Sequence, residues 1–251
     1  MDSIAITDHG VMFGVIDFYK ACKANGVKPI IGCEVYVAPR TRFDKEAGID
    51  NKYNHLILLA KNNNGYKNLS KLVSLGFLDG YYYKPRIDKE ILEKYHEDLI
   101  CCSACLAGEL PQAILKNDME KAEETALWFK NLFGEDYYLE IQANSLREQA
   151  LVNQKLIALS QKLNIPIVAT NDAHYLKKED YYNHEVLLCV QTGKRMTDSD
   201  RMSFSTNDFY IKSPEEMEEY FANVPQALEN TVKIAEKCNV EFEFGNTILP
   251  N

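Results

Sequence analysis

The stretch Ser3–Gly10 (SIAITDHG) joins a short apolar run to an aspartate and a histidine. The same arrangement recurs at Ile165–His174 (IPIVATNDAH). Apolar runs of this length are typical of buried strands, and in β/α barrels the loops that follow the strands meet at one mouth. Carboxylate and imidazole groups at such a mouth are metal ligands or acid–base groups more often than core residues. The two stretches therefore predict an α/β fold whose functional site lies where strands end.

Strand-length apolar runs alternate with segments of helical periodicity, which predicts a mainly parallel sheet. The six predicted strands are Ser3–Ile6, Pro29–Val37, His55–Ala60, Leu99–Ala104, Tyr137–Gln142 and Ile165–Thr170, and the predicted helices include Val11–Ala24, Glu120–Leu132 and Leu146–Leu163. The residues between Val37 and His55 have no apolar stripe and are interpreted as a loop. The strand that begins at His55 can then return antiparallel beside Glu34, which would place both side chains at the same mouth.

The chain beyond about residue 190 differs in character from the rest. It starts with a polar stretch and then predicts two helices, Pro214–Phe221 and Val224–Cys238. We therefore expect two regions, an α/β barrel over residues 1–190 and a small helical extension over residues 191–251.

Composition limits the classes of function. The 251 residues carry a net charge of −9, so the chain as a whole repels nucleic acid, and contact with DNA would need metal ions or a basic partner chain. No apolar stretch reaches the roughly 18 residues of a membrane-spanning helix, and the N-terminus shows no secretory signal. Seven cysteines without a disulfide-framework spacing indicate reduced thiols. We therefore expect a cytoplasmic protein with no membrane partner.

Three further residues lie at or near predicted strand ends. Glu34 lies in an apolar strand, where a buried carboxylate needs a cation; the alternative is a solvent-facing glutamate on an edge strand. His55 taken alone is more often a structural histidine than a ligand. Cys105 taken alone favours neither a metal ligand nor an inert thiol. Together with Asp8-His9 and Asp172–His174, these residues form a mixed donor set that suits Mn²⁺, Fe²⁺ or Zn²⁺ and phosphoester hydrolysis.

One aromatic segment has two possible interpretations. It is Tyr81-Tyr82-Tyr83, followed by Lys84 and Arg86. Aromatic rings interleaved with cations can stack on nucleic-acid bases. A loop that skirts the solvent is the favoured interpretation.

Several segments resemble the PHP (polymerase and histidinol phosphatase) domain family, in the branch found in the alpha subunit of bacterial replicative DNA polymerase III. The resemblance covers the whole chain, and its motifs are specific to the polymerase branch. The matching segments are Ser3–Gly10, Lys28–Val37 (KPIIGCEVYV), His55–Leu69, Ser103–Glu109 (SACLAGE), Ala169–Leu176 (ATNDAHYL), Gln191–Lys194, Phe209–Met217 and Ala227–Cys238.

The resemblance implies a distorted seven-stranded β/α (TIM-like) barrel with a site for up to three divalent metal ions (zinc, manganese or iron). The family holds these ions with nine ligands. The resemblance assigns six of the nine to residues of this chain, namely His9, Glu34, His55, Cys105, Asp172 and His174. Asp8 and Asn171 are expected to support these ligands rather than to bind metal.

The N-terminus departs from the family pattern, which opens with a strand bearing His-x-His and, shortly after it, an acidic ligand. Here Met1-Asp2 leads directly into what resembles the second strand. We therefore expect a fragment that lacks the first barrel strand and three ligands, and that is weak or inactive in catalysis by itself. The end at Leu249-Pro250-Asn251 falls where the family enters its palm domain.

The resemblance implies a metal-binding module of a DNA-directed DNA polymerase, acting in DNA replication with 3′–5′ exonuclease or phosphoesterase chemistry. The alternative is a structural module that stabilises the polymerase and docks a proofreading subunit without catalysis. A free-standing phosphatase of the histidinol-phosphate type is less favoured, because the tail motifs belong to the polymerase branch. The implied partners are DNA, reached through the parent polymerase, a proofreading exonuclease and the sliding clamp.

Overall fold

A computed structural model describes residues 1–246, so the expected chain end at Leu249–Asn251 lies outside the described residues. The strands are β1 (Ser3–Ile6), β2 (Lys28–Val37), β3 (Asn54–Ala60), β4 (Arg86–Ile87), β5 (Leu99–Cys102), β6 (Tyr137–Gln142) and β7 (Ile167–Thr170). The helices are α1 (Val15–Ala24), α2 (Asn63–Leu78), α3 (Lys89–Tyr95), α4 (Glu109–Leu115), α5 (Met119–Phe133), α6 (Arg147–Leu163), α7 (Tyr181–Thr192), α8 (Pro214–Tyr220) and α9 (Pro225–Lys237).

The described residues form two compact units. The first comprises residues 1–102, 129–137 and 233–246, and the second comprises residues 103–128 and 138–232. The boundary expected near residue 190 stays a prediction. Across residues 1–246, every helix is too short or too polar to cross a membrane.

The sheet of the first unit has mixed strand directions. Its strands pair in the order β1-β2-β3-β5, with β4 beside β2. β1 and β4 run parallel to β2, whereas β3 runs antiparallel to both β2 and β5. In the second unit, β6 and β7 pair in parallel. The predicted α/β class is confirmed, and three of these five strand pairings are parallel. β3 is antiparallel to β2, because a loop rather than a crossover helix joins the two strands, as predicted.

β4 was not among the six predicted strands. Its residue Arg86 is fully buried, and the guanidinium donates hydrogen bonds to the backbone carbonyls of Gly80 at 3.0 Å, Asp50 at 2.6 Å and Asp44 at 2.9 Å. These bonds hold residues 38–53, the loop between β2 and β3, against the turn that precedes β4. An arginine in a Tyr-Lys-Pro stretch carries no apolar periodicity, so the pattern gave no sign of a strand.

The core of the first unit lies under β2, β3 and β5. Ile31, Leu58 and Ile100, one from each strand, are fully buried, as are Leu69 and Leu72 of α2. Burial of one such side chain stabilises a fold by about 1.5–3 kcal/mol. This packing gives the polar ends of β2 and β3 a rigid support.

Candidate metal centre

The pairing of β1 with β2 places His9 beside Glu34. β1 ends at Ile6, but the chain stays next to β2, and His9 forms an isolated parallel bridge with Glu34. Two backbone hydrogen bonds hold this bridge: Glu34 N–H donates to Asp8 O at 3.1 Å, and Gly10 N–H donates to Glu34 O at 2.9 Å. The loop after β1 therefore has a fixed position relative to the Glu34 side chain.

The antiparallel return of β3 brings His55 to the same carboxylate. In the β2–β3 register, His55 faces Tyr36 and Ile57 faces Glu34. Side chains alternate between the two sides of a strand, so Glu34, Tyr36 and His55 share one side of the sheet. His55 and Glu34 are diagonal neighbours on that side, close enough for long polar side chains to meet. The predicted return of this strand beside Glu34 is confirmed.

Glu34 contacts both imidazoles. The Oε2 atom of Glu34 lies 3.3 Å from His9 Nε2, and its Oε1 atom contacts His55 Nδ1. Glu34 is 4% exposed, whereas the His9 side chain is 45% exposed. Burial raises the pKa of Glu34, but hydrogen bonds and charge interactions with His55 and His9 outweigh burial and lower that pKa to about 2. The carboxylate is therefore charged at neutral pH, and the alternative of a solvent-facing glutamate is wrong.

The donor atoms of His9, Glu34 and His55 fit a divalent metal ion. One ligand atom from each residue lies within 4.8 Å of the other two, and no other group of three or more His, Cys, Asp or Glu residues among residues 1–246 is as compact. A carboxylate oxygen with two imidazole nitrogens is a donor set that zinc, manganese and iron accept. The partial exposure of His9 gives solutes access to this group.

Aromatic rings line the cluster. The His55 ring stacks parallel to Tyr53 at 5.9 Å and meets Tyr36 edge-on at 5.3 Å. The His9 ring lies 5.6 Å from that of His55. These contacts limit the rotamers of both histidines, which lowers the entropy that metal binding would cost.

Two residues that the sequence analysis did not single out shape this loop. Gly10 has φ +68°, and a methyl group there would lie 2.7 Å from Tyr36 Cε2, so only glycine suits the position. The Cys33 thiol lies 3.3 Å from Asp8 O and 3.4 Å from Val11 O, within range for weak hydrogen bonds that tie the loop to β2. Burial raises the pKa of Cys33 to about 12, so this thiol stays protonated. Of these two residues, only Gly10 had a sequence signal, because it directly follows His9.

Asp8 supports the cluster through its backbone. Its carbonyl accepts hydrogen bonds from Glu34 N–H and from the Cys33 thiol. Its carboxylate points towards the start of α1, where a methyl group on Gly14 would lie 3.1 Å from Asp8 Oδ2. A supporting role for the Asp8 carboxylate stays a prediction.

The second motif follows β7 in the second unit. Asp172 has φ +51°, and its carbonyl contacts His174 Nδ1 at 2.8 Å. The His174 backbone N–H donates to Phe209 O at 2.8 Å. The rings of Phe209 and His184 lie 5.5 and 5.6 Å from the His174 ring. The backbone turn at Asp172 and this ring packing fix the orientation of the histidine.

Cys105 and Asn171 occupy the loops after β5 and β7. Cys105 is half-buried, in contrast with the other six cysteines, which are buried. Its loop is tight, because Gly108 N–H donates to Cys105 O at 2.9 Å. Asn171 Oδ1 accepts a long hydrogen bond of 3.4 Å from Lys212 N–H, which ties this loop to the segment before α8.

The structure thus brings together three of the six predicted ligands, His9, Glu34 and His55. Cys105, Asp172 and His174 all belong to the second unit and do not form a comparably compact group among themselves within residues 1–246. Convergence of all six on one metal site stays a prediction.

Comparison with known proteins identifies the relatives of this chain. The family model described as "PHP domain" matches residues 1–144. The curated "DNA polymerase III subunit alpha" of Borreliella burgdorferi is 50% identical over 253 residues, a match that covers 100% of this chain and 22% of that protein. The protein of the same name from Treponema pallidum is 47% identical, and the match covers 99% of this chain and 22% of that protein. The one from Thermus aquaticus is 44% identical, and the match covers 98% of this chain and 21% of that protein.

The chain therefore spans about a fifth of the length of these relatives. The family model covers more than half of this chain and includes the His9, Glu34 and His55 motifs. On this match, together with the α/β architecture around the cluster, the chain belongs to the PHP domain family.

Proposed function

We propose that this chain is the metal-binding PHP module of a replicative DNA polymerase and supports phosphodiester hydrolysis at the 3′ end of DNA. The observation that carries the proposal is the contact of one buried carboxylate, Glu34, with two imidazoles, His9 and His55. The names of the relatives support the setting in DNA replication. In this setting the whole protein is a DNA-directed DNA polymerase.

Each residue of the cluster has a distinct task in this proposal. A divalent ion held there supplies an activated water and a positive charge for the scissile phosphate. Glu34 contributes the negative charge that draws the cation in, and its low pKa keeps that charge at neutral pH. His55, fixed by Tyr53 and Tyr36, contributes a preoriented nitrogen donor. His9, at the exposed side, faces the solvent from which substrate arrives.

The finer assignments belong to the same proposal. The ions are zinc, manganese or iron, up to three of them in the family and fewer expected in this chain, with Cys105, Asp172 and His174 as the further ligands. The partners are DNA, a proofreading exonuclease and the sliding clamp, and the compartment is the cytoplasm. The motifs in the tail and the names of the relatives weigh against a free-standing histidinol phosphatase.

A nuclease assay tests the proposal against the structural alternative. The substrate is single-stranded DNA labelled at its 5′ end, with Mn²⁺ or Zn²⁺, and the proteins are the present chain and a full-length polymerase carrying it. We expect shortening from the 3′ end by the full-length protein and weak or no shortening by the isolated chain, because the resemblance assigns only six of the nine family ligands to its residues. His55→Ala and Glu34→Gln should abolish the activity.

The structural alternative gives another result. In that case the full-length protein binds metal and His55→Ala lowers its melting temperature, but no 3′ shortening occurs under any metal. Hydrolysis of a small phosphomonoester without hydrolysis of DNA would instead favour the hypothesis of a histidinol phosphatase.

A further inference from the structure

We infer that residues 81–84, here named the tyrosine lip, form a binding site for the unpaired bases and backbone phosphate of a single-stranded nucleic acid. This inference rests on the proposed function, and it adds the strand that leads away from the metal cluster as the ligand. All residues of the lip and of the cluster belong to the first unit.

The lip exposes large aromatic rings to water. Tyr81 is 53% exposed and Tyr83 is 67% exposed, while Tyr82 between them is half-buried. The Phe77 ring lies nearly parallel to that of Tyr81 at 6.1 Å, which extends the apolar surface. Exposed aromatic surface of this kind marks a binding site more often than isolated exposed side chains do.

The lip is held rigidly at its base. Tyr82 N–H donates to Lys84 O at 3.1 Å, and Arg86 N–H donates to Gly80 O at 3.4 Å. The buried Arg86 guanidinium lies under the Tyr82 ring at 5.3 Å. Arg86 therefore anchors the turn and is not available to a ligand, whereas the rings of Tyr81 and Tyr83 are exposed to solvent.

The backbone at Tyr83 is strained. Its φ is +61°, in the left-handed region that is unfavourable for a non-glycine residue. Asparagine or glycine would suit this conformation better. The Tyr83 ring is mostly exposed, so its burial in the fold does not offset the backbone strain. We therefore infer that the ring has a binding role.

The lip adjoins the metal cluster. A methyl group on Gly10, the residue after His9, would lie 3.1 Å from Cγ of Pro85, the residue that directly follows the lip, so the end of the lip lies close to the loop that carries this histidine. Lys84 Nζ lies 5.4 Å from the centre of the Tyr36 ring, and that ring lies 5.3 Å from the His55 ring. Lys84 is therefore close enough to the cluster to contact a neighbouring phosphate of a strand that has one phosphate at the cluster.

The chemistry of the lip suits single-stranded nucleic acid better than a protein. Sites for single strands combine aromatic platforms for the bases with cations for the backbone. Tyr81 and Tyr83 offer the platforms and Lys84 offers the cation. Because the chain has a net charge of −9, the binding should be weak and should fall steeply with salt.

Fluorescence anisotropy with a labelled oligothymidylate tests this site, in low salt and with a chelator present so that metal bridging is excluded. Tyr83→Ala should raise Kd by roughly 5- to 100-fold, the effect of losing one stacked base, and Tyr83→Phe should retain binding. Lys84→Ala should raise Kd and reduce the slope of log Kd against log salt by about 0.7, the effect of one phosphate contact.

Phe244 and Lys20 provide a matched control pair. Phe244 is 52% exposed, and Lys20 Nζ lies 4.9 Å from its ring, so the pair has the same chemistry away from the lip. Phe244→Ala and Lys20→Ala should leave Kd unchanged. Circular dichroism checks that each variant is folded.

Two outcomes overturn the inference: no oligothymidylate binding by the unchanged chain, or equal weakening by lip and control variants. The first would leave the lip as a protein-docking surface. Metal titration of the same variants is read separately. Metal binding without oligonucleotide binding would refute the nucleic-acid site at the lip but leave the proposed function intact. Lip-dependent oligonucleotide binding without metal affinity would refute the proposed function but leave the nucleic-acid site at the lip intact.

Discussion

His9 faces Glu34 in the same parallel register in which Ser3 faces Lys28 at the start of the sheet. β1 ends before His9, yet the pairing is resumed without a shift. A predicted metal ligand on a loop is thereby held in position as firmly as a strand residue, and loops that lack such a tether are usually more mobile. The relationship makes the geometry of the cluster depend on the backbone of β2.

Gly32, two residues before Glu34 in β2, should not tolerate a side chain. A methyl group there would lie 2.7 Å from Leu58 O and 2.6 Å from Leu59 Cδ2, so β2 and β3 would have to separate. We expect Gly32→Ala to lower the free energy of unfolding by about 1–3 kcal/mol and to weaken metal binding. Chemical denaturation measures the first effect and calorimetry the second.

Gly76→Ala is the control for this substitution. Gly76 lies within α2, and a methyl group there would meet Pro85 at an ordinary 3.4 Å. Because alanine favours a helix over glycine, this variant should be as stable as the original chain or more stable. Equal stability of Gly32→Ala and Gly76→Ala would show that β2 and β3 are less closely packed than described.

Glu34 should make the metal-free protein sensitive to acid. Its pKa is lowered to about 2 in the folded chain, below its ordinary value of 4.5. A lowered pKa contributes stability above the unfolded value, and that contribution is lost as the pH falls from about 4.5 towards 2. Denaturation at a series of pH values should therefore show a smaller loss over this window in Glu34→Gln than in Glu219→Gln, a variant of an exposed glutamate. Identical profiles would contradict the ion-paired state of Glu34.

Cysteine alkylation tests the assignment of Cys105. Cys105 is half-buried and the other six cysteines are buried, so iodoacetamide should modify Cys105 first and Cys33, whose pKa is raised to about 12, only on unfolding. If Cys105 is a metal ligand, Zn²⁺ should slow its modification. Peptide mapping by mass spectrometry measures both rates. A Cys105 rate that is indifferent to Zn²⁺ would remove this residue from the ligand set.

The sequence predicts a strand or a strand pairing well where residues near one another in the chain determine it. β1 and β6 have their predicted bounds, because each is a mostly apolar run that directly follows an aspartate. The sequence also predicts that Glu34 and His55 lie close together. The segment between their strands has no apolar stripe and is therefore a loop, so the second strand can return antiparallel beside the first. β5 ends at Cys102 rather than Ala104, where the backbone at Ala104 turns to φ +63°.

Other features depend on contacts between segments that no local pattern reveals. Arg86 is buried because carbonyls from a distant loop and from the preceding turn satisfy its guanidinium, and nothing in the local sequence indicates this burial of a charged side chain. The hydrogen bonds of Cys33 to the loop after β1 have no sequence signature either. How Cys105, Asp172 and His174 relate to the cluster is likewise a matter of tertiary placement.

Calorimetric titration of the chain with Zn²⁺ and Mn²⁺ tests most directly whether His9, Glu34 and His55 bind metal. The variants are His55→Ala and a control, His96→Ala, which removes a partly exposed histidine that contacts Glu93 O after α3. We expect His96→Ala to bind metal as the original chain does. His55→Ala should lose at least about tenfold in affinity, because even residues that only orient a ligand contribute that much. Equal affinities for the two variants, with both folded, would contradict a metal centre at this cluster.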